Sequence, residues 1–182
     1  MSLLSDPAMV WTLRLLLCGI FLLAAVSKLR ARDVFEGILR DYRLLPEQLV
    51  VPFARLLPVV ELLAALGLLF EPSRTAAALL IAGLLLVFIA AIAINLARGR
   101  REIDCGCFLG GRGRQRIGWS LVVRNLVLLA FALDVAAAGA PVRAITVLDV
   151  ATVAGATLAL LFAYFALSQL LETAPLRQGE AR

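Results

Sequence analysis

Histidine does not occur in this chain of 182 residues. Its absence removes histidine-ligated haem, histidine zinc sites and every Cys–His or Ser–His pair. Cysteine is scarce, at three residues, so no disulfide scaffold can be built. A four-thiolate metal site would need two chains. Lysine occurs once, as Lys28, and arginine carries the rest of the cationic charge. The net charge of +5 does not point to nucleic acid, because the basic residues are divided among short segments beside apolar runs. Nor is there a polar stretch long enough for a soluble domain.

What is present is apolar. Hydrophobic residues make up 62% of the chain, against about 45–50% in a soluble domain. Five runs, 9–28, 49–70, 75–97, 119–138 and 145–171, reach the ~20 residues that a helix needs to cross a hydrocarbon core. They predict an all-α, polytopic integral membrane protein. Its expected parts are a four-helix transmembrane core over 1–138, a fifth transmembrane helix within 139–172 and a disordered tail over 173–182. The first run reads as a retained membrane helix, since its leader carries Asp6 and no positive charge.

A shorter element is expected between the first two runs. Asp33 followed by Glu36 resembles a capping box, and Val34, Phe35, Ile38, Leu39 and Tyr42 share one helical face. Residues 33–45 therefore read as an amphipathic helix lying in the membrane interface, or as a lid over the loop that follows the third run. Lysine and arginine in the connecting segments number thirteen on one side of the membrane and two on the other. That bias puts the amino terminus outside, and the carboxyl terminus and the loop 98–118 in the cytoplasm.

This loop holds Asp104-Cys105-Gly106-Cys107-Phe108, two of the three cysteines. A disulfide closed across one glycine is bent from relaxed geometry and easier to reduce than a structural one, which favours thiol exchange over stapling. Inside the runs, Glu61 lies close to the bilayer centre, where a bare carboxylate costs at least ~2.5 kcal/mol. It must be protonated or paired, with Arg14 and Arg124 as candidate partners, and a proton carrier is the functional alternative. Asn95 reads as an interhelical hydrogen-bonding residue, and Cys18 as a small packed hydrophobe. With alternate helices running in opposite directions, Lys28, Arg55, Asn95, Arg124 and Asn125 all approach the face that bears Cys105 and Cys107. Nearby cations favour thiolate, the attacking species, while Glu102 and Asp104 act against them. The plainer reading of Lys28 is orientation by a snorkelling cation, and that of the arginine-rich loop is topology alone.

In order, Ser27-Lys28-Leu29, Tyr42-Arg-Leu-Leu-Pro46, Leu57-Pro58-Val-Val-Glu61, Asn95, Cys105-Gly-Cys107-Phe108 and Arg124-Asn125 resemble the MauE family of methylamine utilisation proteins, near the DoxX group. The likeness covers roughly residues 10–138. It implies a bacterial inner-membrane protein that supports maturation of the disulfide-rich small subunit of periplasmic methylamine dehydrogenase, beside a thioredoxin-like partner, MauD. The four-helix core with a cysteine pair is also similar to vitamin K epoxide reductase and DsbB-type oxidoreductases, which use C-x-x-C.

Three roles follow. The first is a thiol–disulfide oxidoreductase or electron conduit with Cys105 and Cys107 as the exchanging pair, Lys28 and Arg124 tuning the thiolates, and Glu61, Asn95 and Asn125 in the polar interior. No cofactor is certain from the sequence, and a quinone or a proton path through that interior is left open. The second is a non-catalytic assembly or docking factor for the same pathway. The third is a small proton-coupled transporter using Glu61. A cytoplasmic cysteine loop and a periplasmic client are reconciled either by electrons that enter from a cytoplasmic donor and leave through a mobile or re-entrant loop, or by a redox direction different from the one the resemblance implies.

Overall fold

The computed structural model describes residues 6–100, 103–104, 117–139 and 145–173. These form six helices: α1 (Pro7–Arg30), α2 (Arg32–Tyr42), α3 (Glu47–Gly67), α4 (Arg74–Ala97), α5 (Trp119–Ala137) and α6 (Val147–Thr173). Among the described residues there is no β-strand. All but α2 are long and apolar enough to span a bilayer, and the protein is a multi-pass membrane protein.

Local sequence explains the helix ends. Asp6 caps α1, its side chain accepting from the Ala8 amide at 2.8 Å, with Pro7 at the first helical position. At the start of α6, Thr146 and Asp149 bond reciprocally: the Thr146 amide and hydroxyl donate to Asp149 Oδ2 at 2.8 and 2.7 Å, and the Asp149 amide donates to Thr146 Oγ1. The box expected at Asp33 does not form. Residue Ala31 caps α2 without a side-chain bond, and Asp33 lies inside the first turn. There its charge complements the helix N-terminus instead. The helix also stops at Tyr42 rather than 45, because Arg43 turns into the left-handed region at φ 48°.

Helix α1 is central, packing on α3, α5 and α6, while α4 packs on α5 and α3. The seams are made by small side chains. Ala25, Ala65, Ala78 and Ala132 are wholly buried, allowing the close backbone approach that holds membrane helices together. The tightest place is the α3–α4 hairpin, where a Cβ on Gly67 would meet the Ala77 Cβ at 3.0 Å. Around it, Arg14 donates from Nε to the Leu68 carbonyl at 2.8 Å and pairs with Glu71 at 2.6 Å. Arg74 ties the same end to the close of α5 through the Ala138 carbonyl.

At the opposite end α2 lies across the bundle. Phe35, Ile38 and Tyr42 are buried, Phe35 against Ala54 and Leu57 and the other two against Ile92, Leu96 and Leu121. Three of the five residues of the apolar face read from the sequence are therefore buried in the protein itself, while Val34 is 58% exposed. Helix α6 is peripheral, packed on α1 through Leu161 and Tyr164, with Phe162 76% exposed on its outer side.

Candidate functional site

Two charged side chains meet inside the bundle. Lys28, in the last turn of α1, donates from Nζ to Glu61 Oε1 at 2.7 Å and to Oε2 at 2.9 Å. Glu61 is 0% exposed and Lys28 4%, so each charge is compensated by the other in a low-dielectric setting. Neither Arg14 nor Arg124 is the partner of Glu61. The Arg14 guanidinium is committed at the other end of α1, also stacking on Trp11 at 3.9 Å. Arg124 reaches Ser168 Oγ at 3.5 Å and lies 5.4 Å from the Tyr164 ring. Lys28 does not snorkel outward. Its four-carbon stem runs inward along the α1–α3 seam, and its ammonium sits 5.6 Å from the Phe35 ring and 5.8 Å from that of Phe88. Both Glu61 oxygens are thus engaged by Lys28.

Arg124 and Asn125 approach the same place from α5. Together with Lys28, Glu61 and Tyr164 they line a pocket of about 40 Å³ between α1, α3, α4, α5 and α6. Arg124 Nε and Asn125 Nδ2 are buried donors with no hydrogen-bond partner among the described residues. A water needs about 10–15 Å³ and two or more polar partners, so this pocket has the size and the donors to hold ordered water. The structure thus brings together four of the expected residues, Lys28, Glu61, Arg124 and Asn125. It does not bring Arg55, which is exposed.

Asn95 belongs to a different cluster. Its Nδ2 donates to the Ala91 carbonyl at 3.1 Å, within its own helix, and its Oδ1 accepts from Arg100 Nη1 at 3.2 Å. The direct interhelical bond expected of Asn95 is absent from its described contacts; Arg100 makes the crossing instead, donating to the Tyr42 carbonyl at 3.4 Å. Arg100 is a linking residue that the sequence reading assigned only to topology. Tyr164 and Phe88 were also missed, since an aromatic in a membrane helix gives no sign of which neighbour it faces.

Cys105 and Cys107 lie outside the described residues. The base of their loop does not. Ile103 and Ile117 are buried beside Ile38 and Tyr42, and the Ile117 amide donates to the Ile103 carbonyl at 3.0 Å, so the chain enters and leaves this loop at one point against α2. Burial, and after it the adjacent Asp104 carboxylate, hold the Tyr42 phenol above its ordinary range. Cys18 is buried in the main core, as a packing residue should be.

The comparisons with known proteins agree with one another. The family model described as Methylamine utilisation protein MauE matches residues 6–140. The chain is 49% identical over 133 residues to a methylamine utilization protein MauE of Paracoccus denitrificans, covering 73% of this chain and 71% of that one. With the protein of that name from Paracoccus versutus it shares 45% over 169 residues, 92% of this chain and 89% of the relative. With that of Methylophilus methylotrophus the identity is 38% over 165 residues, 91% and 87% of the two chains. No solved structure matches. A family match that takes in α1 through α5, with relatives at these identities over most of their own length, shows that this chain belongs to the MauE family.

Proposed function

We propose that this protein acts in methylamine utilisation, in the bacterial inner membrane, by supporting maturation of the periplasmic methylamine dehydrogenase small subunit through thiol–disulfide exchange at Cys105 and Cys107. A thioredoxin-like protein of the MauD type is its exchange partner. The names of its relatives support the pathway. The observation that supports the chemistry is the closed base of the cysteine loop: the Ile103–Ile117 bond and the buried Tyr42 fix where the loop starts, with Cys105 joined to Asp104 by one peptide bond.

In the exchange, a thiolate of the reduced partner attacks a sulfur of the Cys105–Cys107 disulfide and forms a mixed disulfide. The partner's second thiolate then attacks that bond and closes the partner's own disulfide, so two electrons enter this chain and leave Cys105 and Cys107 as a dithiol. Thiol trapping in intact cells tests the reading in a Cys18→Ala background. Cys105 and Cys107 should react with a membrane-permeant maleimide only after mild reduction, and single Cys→Ser variants should accumulate a mixed disulfide with the partner. Full function of the Cys105→Ser/Cys107→Ser protein would overturn the exchange role and leave that of an assembly factor.

A further inference from the structure

A second cavity reaches Lys28 but not Glu61. It has a volume of about 150 Å³, lies between α2, α3 and α4, and is lined by apolar and aromatic side chains with Lys28 as the one charged residue among the described residues. Val87, 53% exposed, stands at its rim on the lipid-facing side of α4. Its far end reaches Tyr42, at the base of the cysteine loop.

From these features we infer that this cavity binds the head of a lipid-soluble quinone, with Lys28 Nζ donating to a quinone carbonyl. An ammonium has three N–H donors, and Glu61 accepts two of them. The third has no acceptor among the described hydrogen bonds, and the rings nearest the ammonium, Phe35 at 5.6 Å and Phe88 at 5.8 Å, both line this cavity. Glu61 already balances the charge of Lys28, so a neutral carbonyl suits the site, whereas a fatty acid would add a buried, uncompensated negative charge. Phe35, Tyr42, Phe53 and Phe88 supply faces and edges for a flat ring. A cavity well below the roughly 300–1,000 Å³ of a whole small-molecule site takes one ring and leaves the tail in lipid.

This inference rests on the exchange reading for its redox step. Once the pair has been reduced by its partner, Cys105 and Cys107 lose two electrons and two protons and close a disulfide. The quinone gains both and becomes a quinol, so atoms and electrons balance.

The test uses the full chain in lipid nanodiscs and a photoreactive azido-benzoquinone with a decyl tail. Labelling should map to α2, α3 and α4 residues of the cavity, and excess decylbenzoquinone should displace it. Ala91→Trp, which fills the cavity, and the charge-free Lys28→Met/Glu61→Gln protein should each lower it by about tenfold or more. Labelling spread over lipid-facing helices, or indifferent to Ala91→Trp, overturns the site, and displacement by palmitate as effective as by decylbenzoquinone overturns the carbonyl class. The Cys105→Ser/Cys107→Ser protein should label like the wild type, which separates the two readings. Site-specific labelling of a wild-type protein whose reduced thiols decylbenzoquinone does not oxidise overturns the redox step and leaves the binding site. Thiol exchange with no labelling overturns the site and leaves the exchange.

Discussion

Lys28 and Glu61 satisfy each other across the α1–α3 seam, the ammonium reaching both carboxylate oxygens within 2.9 Å. Removing one partner strands the other. Lys28→Met should therefore destabilise the protein by about 3–5 kcal/mol, while Lys28→Met/Glu61→Gln, which removes both charges, should recover most of that loss. Thermal unfolding of the purified variants in detergent measures both, and additivity of the two single changes would show that the pair is not coupled.

Much of the fold was legible because the bilayer demands about 20 apolar residues per span. The runs 49–70 and 75–97, for example, coincide with α3 and α4 to within three residues. The partner of Glu61 was not legible. Depth along a helix says that a carboxylate needs compensation, and Arg14 and Arg124 were the arginines inside apolar runs other than that of Glu61. Lys28 sits at a helix end, where a cation ordinarily turns to water, and only the direction of its stem in three dimensions reveals the pair. A signal was nonetheless present: the one lysine of the chain and its most deeply placed carboxylate lie on helices that neighbour in space. Asn95 misled for the same reason, since its bonds run along its own helix and to Arg100.

The Tyr42 phenol gives a pH dependence. The folded protein keeps it neutral to a higher pH than the unfolded chain does, through burial first and Asp104 second. Its contribution is thus complete below the unfolded pKa of about 10 and is lost as pH rises from there through the folded value. Tyr42→Phe should flatten the alkaline limb of the stability curve. Asp104→Asn should bring the phenol down, read as phenolate absorbance in a Tyr164→Phe background. No change on Asp104→Asn would separate Asp104 from Tyr42, and with it the start of the cysteine loop from α2.

Close packing at the α3–α4 hairpin predicts opposite results at two glycines. Gly67 has the Ala77 Cβ only 3.0 Å from where its own would stand, so Gly67→Val should cost about 1–3 kcal/mol by overpacking. Gly83, in the middle of α4, has nothing within 4 Å of that position. Gly83→Ala should be neutral, or stabilise by about 0.5–1 kcal/mol through helix propensity. Equal losses at both sites, measured by thermal unfolding, would show that the space around each glycine does not decide the outcome.

The charge bias predicts which side of the membrane carries the cysteine loop. In a Cys18→Ala/Cys105→Ser/Cys107→Ser background, Pro72→Cys probes the α3–α4 turn and Gln48→Cys the opposite end of α3; both positions are exposed. Thirteen cationic residues against two predict a cytoplasmic Gln48 end. An impermeant maleimide added to intact spheroplasts should then label Pro72→Cys alone, with Gln48→Cys reacting only with a permeant reagent. Because Gln48, α2 and the base of the cysteine loop share one end of the bundle, this pattern would require electrons to cross the membrane between that loop and a periplasmic client. A lipid-soluble carrier held between α2, α3 and α4 is suited to that crossing. The reverse pattern would put the cysteine pair on the client's own side, where direct exchange with a periplasmic thioredoxin-like partner needs no crossing at all.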